Sequence, residues 1–74
     1  MTHQDFLSAM DNLLELPAGT LKGPENLDEL ENWNSLAMVE YIALVDSNTH
    51  AKVSPRQIRD CDTIDDLARL AKVE

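Results

Sequence analysis

Apolar residues recur along this chain at helical spacing, and nowhere do they alternate over the length of a strand. Phe6, Leu7, Met10, Leu13 and Leu14 form one stripe, which predicts a first helix running to about residue 15 with that face turned inward. Thr2 and Asp5 make a capping pair in front of it, and Pro17 and Gly19 supply the stop. Ser54 with Gln57 forms a second capping box and Pro55 falls at a first helical position, so a short helix is expected from Pro55 to about Asp60. Thr63 with Asp66 opens a final helix whose inner face is Ile64, Leu67, Ala68 and Ala71. The pattern predicts an all-α chain of three main helices and one short one.

The helix from Ser35 to about Ser47 differs from the others. Between Leu36 and Val45 only Glu40 is charged, so apolar side chains run round most of its circumference instead of along one stripe. One face can serve the core, and the surplus must meet a ligand or another protein. Met38, Tyr41, Ile42 and Val45 are expected to pack inward, while Leu36, Glu40, Ala43 and Asp46 fall near one outer side and are candidates for partner contact. Asn34 is a good N-cap, and Trp33 and Met38 occupy the two positions of a hydrophobic staple. Ser35 therefore becomes the first residue of the helix. Before it, residues 16–33 make a connection long enough to need anchoring; Leu16, Leu21, Leu27 and Leu30 are the expected pins, with a turn of helix over Leu27 to Glu31. Asn48 to Lys52 reads as a polar loop.

Length sets a limit on the core. A chain of 74 residues reads as one domain and buries only ~60% of the surface its unfolded form exposes. With one Phe, one Tyr and one Trp, the interior must be mostly aliphatic. Fourteen acidic residues oppose six basic ones, and residues 1–50 hold nine of the acids and one Lys. That balance argues against nucleic acid and anionic membranes, which need clustered Lys and Arg, and favours basic protein partners. The one cysteine, Cys61, allows no internal disulfide and reads as a small buried hydrophobe. No signal peptide and no membrane-spanning run is found, so a cytoplasmic monomer without stable membrane insertion is expected.

Catalytic and metal chemistry find little support. Ser35 as a nucleophile would need a neighbouring base held by a third group, but His3 precedes the first helix and His50 lies in the loop after the second. Two separate histidines and one cysteine lack ligand spacing, and Asp60, Asp62, Asp65 and Asp66 read as caps rather than a calcium loop. Arg56 and Arg59 read as a solvated helix face. The chain is not expected to be an enzyme.

Asn34-Ser35-Leu36, followed by Val39-Glu40 and an aliphatic run through Val45, resembles the acyl carrier proteins around their Asp-Ser-Leu motif. The resemblance extends along the chain: an amphipathic first helix, a Leu-Pro start to the long loop, a Val-Ser-Pro entry to the short helix, and Ile64-Asp65-Asp66-Leu67 opening the last one. Asn34 stands where the family usually has Asp, which keeps the cap and removes a negative charge beside the serine. After the second helix, Asp46-Ser47-Asn48-Thr49 replaces the acidic, Phe-containing continuation of many fatty-acid carriers. Both departures lean towards a specialised member.

The resemblance implies a carrier bundle over residues 1–74 and a phosphopantetheine arm on Ser35. A phosphopantetheinyl transferase would install it from coenzyme A, leaving a thiol that holds an acyl or aminoacyl group as a thioester. Implied partners are acyl- or aminoacyl-loading and acyl-processing enzymes with basic docking surfaces, in fatty-acid, polyketide or related specialised biosynthesis. Leu36 would supply apolar burial, and Glu40 and Asp46 the steering. Met38, Val39, Ile42 and Val45 are the residues expected to line a pocket for the acyl chain. The competing reading is a carrier-like helical interaction module that is never modified.

Overall fold

A computed structural model describes residues 1–73. Four α-helices, α1 (His3–Leu13), α2 (Ser35–Thr49), α3 (Pro55–Arg59) and α4 (Ile64–Leu70), surround one apolar cluster, with a 3-10 turn at Leu27–Glu29 in the long connection. Among the described residues there is no strand, and none of the helices is long and apolar enough to cross a membrane. The all-α expectation holds at that level.

Each helix starts where its cap dictates. Capping boxes are formed by Thr2 with Asp5, Ser54 with Gln57 and Thr63 with Asp66, so first-turn amides that lack a helical partner are satisfied by side chains. The ends are less predictable. At the end of α1, Glu15 takes the left-handed conformation (φ 60°) while the amides of Leu16 and Glu15 return to the carbonyls of Asp11 and Asn12. This is a Schellman stop, built without the usual glycine. The helix therefore closes at Leu13, ahead of the expected end near residue 15 and ahead of Pro17. Lys72 repeats the arrangement after α4, with the Val73 amide on the Ala68 carbonyl.

α2 runs two residues further than its apolar pattern. Asn48 and Thr49, expected in a loop, are helical, with their side chains bonded to the carbonyls of Leu44 and Val45. Termination waits for His50 in the left-handed region (φ 58°). The stop is set by this left-handed residue, which an apolar count cannot register.

The long connection is held from both sides. Leu21 and Leu27 are buried, and Leu16 and Leu30 are half-buried against the core, as their spacing predicts. A second anchor is polar: the Asp11 carboxylate, 3% exposed, accepts the amides of Gly19 and Leu21, each at 3.0 Å. Further along, Leu27 N–H donates to the Asp62 carbonyl (2.8 Å) and Ile64 N–H to that of Glu25 (3.1 Å), around one antiparallel bridge between Asn26 and Thr63. The loop is thereby tied to α1 at one end and to the entry of α4 at the other. His3 completes this corner through Nε2, 2.8 Å from Asp65 Oδ1.

Three carboxylates here have pKa values held below normal. At Glu25, burial acts to raise it, but the amides of Lys22, Gly23 and Glu25 itself outweigh that. Asp66 is lowered by the amides of Asp62 and Thr63, with Arg69 adding its charge, and Asp46 by its bond to Lys52. A depressed carboxylate stabilises the fold fully above its unfolded pKa and loses that contribution as pH falls towards the folded value. With ordinary values of 4.5 for Glu and 3.8 for Asp, the window lies below about pH 5. Urea midpoints of wild type and Asp66→Asn should differ by a constant amount above that pH and converge below it; a gap widening in acid would contradict the assignment.

Candidate functional site

Ser35 is exposed at the first position of α2. Its place is set by Asn34, whose backbone is extended and whose Oδ1 accepts the Ala37 amide at 3.0 Å. The Asn34 carbonyl takes the Met38 amide at 2.9 Å. Trp33 N–H in turn donates to the Leu30 carbonyl, so the approach to the helix is fixed residue by residue.

Trp33 and Met38 are both half-buried on the core, and the Trp33 ring stands edge-on to Tyr41, centroids 6.2 Å apart and planes at 77°. Tyr41 meets Phe6 of α1 in the same way, at 6.2 Å and 86°. Its hydroxyl donates to the Leu67 carbonyl of α4 at 2.7 Å. Burial, with the neighbouring Cys61, pushes the Tyr41 hydroxyl well above its ordinary value, so it stays a neutral donor. One side chain thus locks α2 to α1, α4 and the segment that leads into Ser35.

The rest of α2 divides into two faces. Ala37, Tyr41 and Val45 are buried, four residues apart, and Met38, Ile42 and Leu44 are half-buried beside them. Outward lie Leu36, 68% exposed, and Val39, 62% exposed, with Glu40 and Ala43 also exposed and Asp46 partly so. Val39, grouped by sequence with the inward lining, belongs to this outer strip. At 100° per residue it falls between Leu36 and Asp46, on the side opposite Tyr41. The apolar surplus that α2 shows in sequence is therefore real surface: two large aliphatic side chains in water within one turn of Ser35.

Clefts flank this face on either side. One of about 150 Å³ lies between the end of α1 and the start of α2, among Leu13, Leu14, Glu15, Asn32, Asn34 and Glu40. The Asn32 side-chain amide donates to the Leu14 carbonyl beneath it. The other, about 380 Å³, is an open groove between α2 and residues 51–53, lined by Val39, Ile42, Ala43, Asp46, Ala51, Lys52 and Val53. The partner-contact candidates split accordingly, Leu36 and Glu40 at the first and Ala43 and Asp46 at the second. Ala51 and Lys52 were read only as polar loop and Val53 only as part of the entry to the short helix; the signal for a groove wall was the aliphatic pair Ala51 and Val53 at the end of that loop.

Neither histidine is placed to activate Ser35. His50 closes the far end of α2, about 20 Å along the axis, and His3 sits at the far end of α1 against Asp65. Among the described residues, no group of three or more His, Cys, Asp or Glu could hold a metal ion. Cys61 is half-buried rather than buried. Burial and the carboxylates of Asp66, Asp60 and Asp62 raise its thiol pKa, which disfavours the reactive thiolate. Comparison with family models, with curated proteins and with solved structures gives no match.

Proposed function

We propose that this chain is an acyl carrier protein that bears phosphopantetheine on Ser35, as its resemblance to that family implies. The observation that carries the reading is the pairing of an exposed serine at a capped helix start with an exposed Leu36–Val39–Ala43 strip beside it. Such a strip offers a transferase something to grip next to the hydroxyl it modifies.

The local chemistry suits the group. Ser35 Oγ projects from a helix N-terminus, where backbone N–H groups and the helix dipole favour a phosphodiester. Asn34 occupies the Ala37 amide, leaving the amides of Ser35 and Leu36 to face the added charge. The group would supply a terminal thiol able to carry an acyl or aminoacyl cargo. Tyr41, clamped by Phe6, Trp33 and Leu67, keeps the start of α2 rigid while the cargo moves. Of the residues named for an acyl pocket, Val45 lies in the core and Met38 packs half-buried against it, whereas Val39 and Ile42 line the outer groove.

The test is intact mass after incubation with coenzyme A, magnesium and a broad-specificity phosphopantetheinyl transferase. Wild type should gain one phosphopantetheine and Ser35→Ala none. Asn34, which removes the usual acid beside the serine, favours the second reading of an unmodified interaction module using the same strip; Asn34→Asp taking up the group where wild type does not would support it.

A further inference from the structure

The outward face of α2 does not keep the charge pattern its sequence suggests. Glu40 and Asp46 both read as acids for steering basic partners, yet Lys52 Nζ lies 2.7 Å from Asp46 Oδ1. The two side chains stand together on the wall of the groove formed by Val39, Ile42, Ala43, Ala51 and Val53. Among the described residues Glu40 enters no such pair. α2 therefore carries one unpaired carboxylate, Glu40, and beside it an apolar groove whose far rim, at Asp46 and Lys52, is electrically balanced.

We propose that Lys52 is a specificity-determining residue of this face. By neutralising Asp46 it leaves Glu40, with Glu15 beside it in the first cleft, as the unpaired acid of α2, and fits the groove to a partner protein presenting an uncharged apolar ridge there and a basic residue only towards Glu40. This rests on the reading of α2 as a docking helix. Complementarity decides it: a basic group brought to the groove would meet the Lys52 ammonium, and like-charge contacts select against wrong partners. An aliphatic ridge meets five aliphatic side chains and no net charge. The pair itself adds little to stability, since Lys52 is 84% exposed and surface ion pairs are weak. Its effect lies in which partner is admitted.

Two probes titrated into the isotope-labelled protein at low salt test this by NMR: hexalysine, for a basic surface, and a blocked Leu-Val-Leu peptide, for an apolar ridge. Hexalysine should shift the Glu40 region of wild type and spare the amides of residues 43–47. Lys52→Ala should bring those amides in, with roughly three-fold larger shifts. Lys52→Arg should behave as wild type, and the double variant Asp46→Asn/Lys52→Ala should lose the gain. The tripeptide should shift the methyl groups of Val39, Ile42, Ala43, Ala51 and Val53 in wild type. Equal hexalysine shifts at residues 43–47 in wild type and Lys52→Ala, or a groove silent to the tripeptide, would overturn the proposal. Intact mass after the transferase incubation judges the carrier reading separately, because the titrations give their answer whether or not Ser35 is modified.

Discussion

Tyr41→Ala is expected to remove a large part of the stability of the fold and to lower the urea midpoint steeply. Removing a fully buried aromatic ring costs about 3–5 kcal/mol, and a chain of 74 residues holds roughly 4–11 kcal/mol in all. Tyr41 makes both aromatic contacts of the core, with Phe6 and Trp33, and its hydroxyl bridges to α4. The milder Tyr41→Phe removes only that hydroxyl. The Leu67 carbonyl keeps its helical bond from the Ala71 amide at 3.0 Å, so the loss should be about 0.5–1.5 kcal/mol. Urea unfolding followed by circular dichroism separates the two variants. A Tyr41→Ala protein unfolding cooperatively near the wild-type midpoint would show that the aliphatic core carries the fold without it.

Gly23→Ala should be clearly the more damaging of the two glycine substitutions in the long connection. Gly23 has φ 121°, and an added Cβ would collide with the Asp65 carboxylate. The backbone conformation alone costs a side chain about 1–3 kcal/mol. Moving the Asp65 carboxylate aside would also break its contact with His3 at 2.8 Å. Gly19 is the control: it too has positive φ, at 83°, but the nearest atom to its Cβ would be Lys22 Nζ at 4.0 Å. Gly19→Ala should therefore cost clearly less. Equal urea midpoints for the two variants would mean that Asp65 yields freely.

Helix starts were legible because capping is local: Asn34, Ser54 and Thr63 each bond to an amide three residues on. Helix ends were not, because Glu15, His50 and Lys72 adopt the left-handed conformation that glycine would have signalled. The inward face of α4 followed from spacing, and the same spacing misplaced Val39, since a helix apolar all round carries no phase to read. Ser35 was found through its cap and its neighbours. Asp11 was missed because its partners are backbone amides eight and ten residues away, which no side-chain motif encodes. Lys52 was missed for a related reason: its pairing with Asp46 spans the end of α2, where sequence suggested a loop.

The Asp11 clasp grips main chain and ignores side-chain identity. Between α1 and the 3-10 turn, Pro17, Ala18, Thr20 and Lys22 all stand exposed, while the two gripped amides belong to Gly19 and Leu21. A protein engineer could therefore rewrite residues 18, 20 and 22 to display a short epitope or an affinity handle, provided that proline stays out of positions 19 and 21, where it would delete the donors.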